Sequence, residues 1–235
     1  MNSAASSAEP PVLAIDGPSA SGKGTVAAKV ASELGFHYLD SGALYRLVTL
    51  AALQRGTDLQ DEAALAEVAS NMDVEFRGGR VFLDGHDVTE QLRTEEVSAA
   101  ASRVAARPTV RTALLARQRG FRRPPGLVAD GRDMGSVVFP DAPLKVFLTA
   151  GVETRAARRH KQLMEKGMYA KMGDVVEELR RRDERDSSRP VAPLKHYPDA
   201  IFLDTTGLSV DEAVQRILGW WREKSQQSHQ SSNRA

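Results

Sequence analysis

Apolar positions along the chain fall in short blocks whose spacing changes from block to block. Residues 12–16, "VLAID", are apolar up to a closing acid, the pattern of a short parallel strand buried on both faces. After a glycine-rich stretch, Val26, Val30 and Leu34 recur at i, i+4 and i+8, with Ala27 and Ala31 beside them. That spacing predicts a helix, and Gly35 is placed to stop it. "FHYLD" at 36–40 predicts a second strand, and 43–54 a strongly apolar helix ending near Gly56. Strand, loop, helix, strand is the opening of a doubly wound α/β sheet.

The middle of the chain changes character. "MDVEF" and "RVFLDG" flank a glycine turn and read as a β-hairpin. Helical stretches at 94–106 and 109–121 follow, parted at Pro108. The region 57–107 therefore reads as an insertion in the α/β frame. Three more strands are expected at 126–130 ("GLVAD"), 144–149 ("LKVFLT") and 200–206 ("AIFLDTT"), making a parallel sheet of five flanked by helices. An arginine-rich helical segment lies between the last two, and an amphipathic helix at 209–224 closes the fold. No internal repeat is visible. Residues 1–11 and 225–235 read as polar, unstructured tails, leaving 12–224 as the folded body.

Composition narrows the function. The 235 residues suit one α/β domain with an inserted subdomain, and 41% apolar with 27% charged residues argues against a disordered chain. Basic and acidic residues nearly cancel, so a net charge of +1 speaks against a dedicated polyanion binder. The absence of cysteine excludes disulfides, thiolate metal sites and a Cys nucleophile. No apolar run approaches the roughly 20 residues of a membrane helix, and "MNSAASSAEPP" lacks the features of a signal peptide. A cytoplasmic location is expected.

The stretch "DGPSASGKGT" carries the first candidate chemistry. Gly17, Gly22 and Lys23 fit the phosphate-cradling spelling G-x-x-x-x-G-K-[ST], between a strand and a helix. Free backbone N–H groups at the helix start, glycines without Cβ and a mobile lysine charge all suit a triphosphate. The segment expected to hold it is Gly17, Pro18, Ser19, Ala20, Ser21, Gly22, Lys23, Gly24 and Thr25. Gly24 stands where a hydroxyl residue is usual, and Thr25 comes one step later. GxxxxGKGT resembles the spelling of nucleoside monophosphate kinases rather than GTPases, and no [NT]-K-x-D guanine-reading segment is present. The bland alternative is a structural turn.

Two further segments suggest an acceptor site. In "YLDSGALYR", Ser41 is placed to cap the next helix and Arg46 to face the glycine loop; the alternative is a cap with a surface arginine. In "VADGRDMGSVVFPDAP" a strand ends at Asp130, followed by Arg132 and Asp133, where ligands bind in such sheets. Asp130 and Thr25 are the candidate metal residues, Asp130 through water. A turn held by an Arg–Asp ion pair is the plain reading of the same segment. Farther on, Arg155, Arg158 and Arg159 share one helical stripe, and Arg182, Asp186 and Arg189 another, around a glycine-containing hinge "KGMYAKMGD". They form a solvated surface hairpin or a phosphate-covering lid, with Arg155 and Arg159 as its donors. Acidic neighbours and the lack of interleaved aromatics argue against nucleic acid. Trp220 and Trp221 read as core and rim, and the five histidines show no ligand spacing.

Taken together, "IDGPSASGKGT", "YLDSGALYR", "RTEEVSAAASRVAARPTVR", "ADGRDMGSVVFPDAPLKVFL" and "RDERDSSRPVAPL" resemble the bacterial cytidylate kinases, over nearly all of 12–220. The resemblance implies a P-loop kinase core, an acceptor-binding subdomain at 57–107 and a lid at 155–189. It implies phosphorylation of CMP and dCMP by ATP with Mg²⁺, in pyrimidine nucleotide metabolism. Carried over by position, Ser41, Arg111, Asp133 and Arg189 would surround the cytosine. Ser102, Arg182 and Asp186 would meet the sugar, and Arg46 and Arg132 the acceptor phosphate. Lys23, Arg46, Arg132, Arg155 and Arg159 would carry the catalytic charge. The expected partners are small nucleotides, with no nucleic acid, no membrane and a monomeric chain. A UMP or AMP kinase of the same fold, or an ATP-binding module without turnover, are the alternatives.

Overall fold

The computed structural model describes residues 9–77 and 79–232. Strand β1 (Val12–Asp16) leads through the glycine loop into α1 (Lys23–Leu34), and β2 (His37–Asp40) runs straight into α2 (Ser41–Gln54). The inserted stretch holds α3 (Glu62–Asn71), β3 (Val74–Arg77), β4 (Arg80–Leu83), β5 (His86–Asp87), a 3₁₀ turn at Gln91–Arg93 and α4 (Glu95–Val104). Then come α5 (Pro108–Arg119), β6 (Leu127–Gly131), a π-helical turn (Met134–Val138) and β7 (Leu144–Thr149). The arginine-rich segment is a hairpin of α6 (Val152–Glu165) and α7 (Met172–Ser187), followed by β8 (Ile201–Asp204) and α8 (Val210–Ser232).

The five long-range strands pair in parallel in the order β2-β6-β1-β7-β8, as the apolar blocks require. Side chains alternate across them. Val12 and Ala14 enter one core layer with α2 to α5, while Leu13 and Ile15 enter the other with α1 and α8. Burial on both faces of β1 and β6 explains why they read as continuous apolar runs. Gly35 ends α1 at φ 64°, with its N–H on Ser32 O, as the stop signal predicts. Trp220 and Trp221 are partly buried against the second layer, Trp221 edge-on to Phe36.

The structure departs from expectation in four places. Helix α3 was not foreseen; Asp61 caps it through the N–H groups of Ala63 and Ala64. The hairpin gains a third antiparallel strand, β5. Asp40, not Ser41, caps α2, accepting from Ala43 N, because Ser41 already lies in the first turn. Helix α8 continues to Ser232, so 225–232 is helical rather than a tail. The expected tails at 1–8 and 233–235 lie outside the described residues.

The insertion is not a separate globule. Leu65 and Val68 of α3, Met72 at its C-cap, Leu83 of β4 and Val97 and Val104 of α4 belong to the same buried cluster as Leu47 of α2 and Val12 of β1. No helix among the described residues is long and apolar enough to cross a membrane. Leu65 is fully buried, so Leu65→Ala should cost about 2–5 kcal/mol. Because the core is shared, urea unfolding of that variant should remain one transition; two transitions would show an independently folding insertion.

Candidate active site

Three neighbouring strands carry an aspartate at or next to their C-terminal residue: Asp16 on β1, Asp40 on β2 and Asp130 on β6, with Asp130 in register beside both Asp40 and Ile15. This is the end of the sheet where the chain diverges to either side of β1, and the glycine loop starts there. Gly17 is required by close approach, since a Cβ would stand 1.9 Å from Leu148 O. Ala20 takes φ 57° and Gly22, the N-cap of α1, φ 90°. The unusual Gly24 also has a cause. A Cβ there would meet Asp130 Oδ2 at 3.2 Å and the Tyr38 hydroxyl at 3.5 Å. Side chains from β6 and β2 thus lie close against this position.

Lys23 opens α1 in this crowded place. Burial first, then the charge of Arg132, push its ammonium down to about 8, against the pull of Asp130 and Asp40. Burial raises the Asp130 carboxyl, with Lys23 as the main opposing influence. The Tyr38 hydroxyl donates to Asp130 at 2.7 Å. Asp16 acts at a distance: both its oxygens accept N–H groups, from Met134 at 2.8 Å and Gly135 at 2.9 Å, which fixes the π turn after Asp133. Burial pushes that carboxyl up to about 7 despite the two bonds.

A cavity of about 230 Å³ opens between loop, α2, α4 and the lid hairpin. It brings together Ser19, Ala20 and Lys23 of the loop with every expected acceptor residue: Ser41, Arg46, Ser102, Arg111, Arg132, Asp133, Arg182, Asp186 and Arg189. Arg111 and Asp133 form a buried ion pair, and Arg111 also donates to Ala105 O at 3.1 Å and lies over the Tyr45 ring. Arg132 joins the two halves of the site, donating to Asp186 at 2.8 Å and to Ser19 Oγ at 2.8 Å. Burial would raise the Asp186 carboxyl, but Arg132 and Arg189 outweigh it and hold it low. Arg182 is pushed down to about 10, by burial and then by Arg132.

Buried polar atoms in this wall that lack a hydrogen-bond partner include the Tyr45 hydroxyl, Ser102 Oγ, Arg182 Nε and Arg189 Nη2, the last in an ion pair with Asp186 at 3.5 Å. Such orphans are rare in folded proteins and mark a surface completed by a polar ligand. Arg46 is held by Asp40 at 2.6 Å, and Arg159 by Glu95 of α4.

Of the expected catalytic and metal residues, two do not line the cavity. Arg155 is buried, with its guanidinium on Ala150 O (2.9 Å), Ser19 O (3.1 Å) and Asp183 (2.7 Å), so its donors face the back of the loop. Thr25 is exposed on α1 and does not line the cavity. Conversely, Asp40 and Tyr38 carry no expected role, and Arg158 is expected only as a member of its helical stripe. Asp40 carried the same signal as Asp130, an acid closing a strand. Tyr38 carried none, because its partner lies on a strand far away in sequence.

Among the described residues no group of three acidic or histidine side chains could cage a metal. Asp40 is engaged by Arg46 and by the α2 cap. Asp130 receives only the Tyr38 hydroxyl. One carboxylate beside a phosphate site suits magnesium, which keeps several waters and takes phosphate oxygens. His37, His86, His160 and His196 all bond backbone carbonyls, and His229 has no described side chain.

The sequence model of the family described as cytidylate kinase matches residues 13–223. The chain belongs to the cytidylate kinase family. It is similar to the cytidylate kinase of Chromobacterium violaceum, 58% identical over 219 residues, covering 93% of this chain and 99% of that protein. The cytidylate kinase of Nitrosomonas europaea is 56% identical over 213 residues, covering 91% and 96%. That of Paraburkholderia phymatum is 58% identical over 218 residues, covering 93% and 96%. As a cytidylate kinase family member the chain is a phosphotransferase.

The depressed Lys23 gives a signature for nucleotide entry. A phosphate beside the ammonium raises its pKa again, so ATP binding should take up a proton above pH 8. The sign follows: ATP affinity falls as pH rises through about 8, where free Lys23 has already lost its proton. Calorimetry at pH 8.5 in two buffers of different ionisation enthalpy should report uptake, and Lys23→Met should abolish it.

Proposed function

We infer that this enzyme transfers the γ-phosphoryl group of ATP to CMP and dCMP, giving CDP and dCDP. The observation that carries the reading is the wall of orphaned and ion-paired groups at Ser102, Arg111, Asp133, Arg182 and Arg189, in one cavity with Lys23 of the glycine loop. In this reading the buried Asp133 carboxylate accepts from the exocyclic amino group of cytosine and repels the carbonyl that uracil has there. Arg111, Arg189 and Ser41 supply donors to the other acceptors of the base. Ser102, Arg182 and Asp186 meet the sugar without demanding its 2′-hydroxyl, which admits dCMP.

The attacking atom is an oxygen of the CMP phosphate, already anionic, so the chemistry needs no general base. The obstacle is repulsion between two polyanions. Lys23 and the loop amides grip the triphosphate. Arg46 and Arg132 turn their unpaired donors to the acceptor phosphate, and Arg159 exchanges Glu95 for the transferring group. Asp130 would hold Mg²⁺ through water, and the ion would supply neutralisation of phosphate charge. Closure of the α6–α7 hairpin excludes water, which otherwise competes as acceptor. The enzyme works in this reading as a cytoplasmic monomer on free nucleotides, in pyrimidine metabolism, with neither membrane nor nucleic acid as partner.

A coupled ADP-release assay across CMP, dCMP, UMP and AMP tests the reading. CMP and dCMP should be turned over well and the other two poorly; equal use of AMP would remove the cytosine assignment. Asp133→Asn keeps the side-chain volume and removes the charge. It should raise KM for CMP about ten- to a hundredfold, the worth of a charge-assisted hydrogen bond. ATP affinity should stay within about twofold, since Asp133 is assigned to the acceptor alone. A melting curve checks that the buried Arg111 left behind has not unfolded the protein.

A further inference from the structure

Ala20 is the one residue of the glycine loop, apart from glycine, whose backbone enters the left-handed region, at φ 57°. An L side chain there carries a conformational penalty and persists only where the surroundings over-determine it. The surroundings are two arginines of α6. Arg155 Nη1 donates to Ser19 O at 3.1 Å and Arg158 Nη1 to Ser21 O at 2.8 Å, so the carbonyls on both sides of Ala20 are gripped from the same helix. Neither guanidinium is loose. Arg155 also holds Ala150 O and Asp183, and Arg158 Nη2 holds Thr205 O at 2.8 Å. The Thr205 hydroxyl adds a 3.3 Å bond to Ser21 O.

The C=O and N–H of a planar trans peptide point in opposite directions. Pinning the Ser19 and Ser21 carbonyls toward α6 therefore turns the N–H groups of Ala20 and Gly22 away from it. We propose that Arg155 and Arg158 are positioning residues that hold the glycine loop in its phosphate-gripping shape from behind, by fixing the strained turn at Ala20, and are not donors to the triphosphate. This rests on the reading of the loop as the ATP site. Arg155 also reaches Asp183 on α7, so the side chain that shapes the loop fastens both helices of the lid to it.

ATP and ADP affinities, measured by calorimetry on the full chain, test the idea in Arg155→Lys, Arg158→Lys, Ala20→Gly and the two combinations with Ala20→Gly. Lysine keeps the charge but cannot reach two or three fixed acceptors at once. Each lysine variant should bind ATP about tenfold more weakly while still melting cooperatively. Glycine adopts positive φ freely, so adding Ala20→Gly should recover about threefold or more of the loss in either background. Ala20→Gly alone is the reference against which the two combinations are read.

Arginines that touched ATP directly, or served packing alone, would not be repaired by removing a methyl group from Ala20. Losses that Ala20→Gly leaves unrepaired overturn the proposal, as does wild-type ATP affinity in both lysine variants. Should Arg155→Lys fail to fold, the Arg158→Lys pair decides by the same comparison. A wild-type protein that binds no ATP overturns instead the reading of the loop on which the proposal rests.

Discussion

Lys23 and six arginines share one cavity, and the carboxylates of Asp40, Asp130, Asp133 and Asp186 keep them from driving one another apart. Like charges in a partly dehydrated cleft repel several-fold more strongly than in water. The acids answer that repulsion pair by pair: Asp40 with Arg46, Asp133 with Arg111, and Asp186 with Arg132 and Arg189. The compensation is incomplete. Lys23 and Arg182 still sit below their ordinary pKa values, and the Arg182 Nε–H has no acceptor. Two phosphorylated nucleotides supply the missing negative charge, so the site is finished by its substrates.

The frame was legible because its signals are local. A strand buried on both faces must be apolar throughout, and a glycine loop between strand and helix has few other uses. Helix α3 was missed although Leu65, Val68, Ala69 and Met72 keep helical spacing, because the glycine-rich hairpin after it dominated the reading of that stretch. Asp40 and Ser41 compete for the same cap, and only the backbone, extended at Asp40 with ψ 96°, decides between them.

The acceptor candidates line one cavity, and each sits on a segment with a distinctive spelling. Of the two lid arginines only Arg159 lines it. Arg155 and Arg159 occupy the same stripe of α6, and periodicity cannot tell them apart. What separates them is depth along the helix: the first turn abuts the back of the loop, while the next turn reaches the cavity and Glu95. That is a tertiary fact with no sequence signal. Gly24 is the reverse case, a local oddity whose cause, Asp130 and Tyr38, lies on two other strands.

The continuous core beneath α2, α3, α4 and β1 has an evolutionary consequence. Recognition of the acceptor is built on the same packed layer that holds up the sheet, so that region cannot be exchanged wholesale for a counterpart without dismantling the enzyme. New substrate preferences in this scaffold must come from side chains at the cavity wall, changed one at a time over an unaltered foundation.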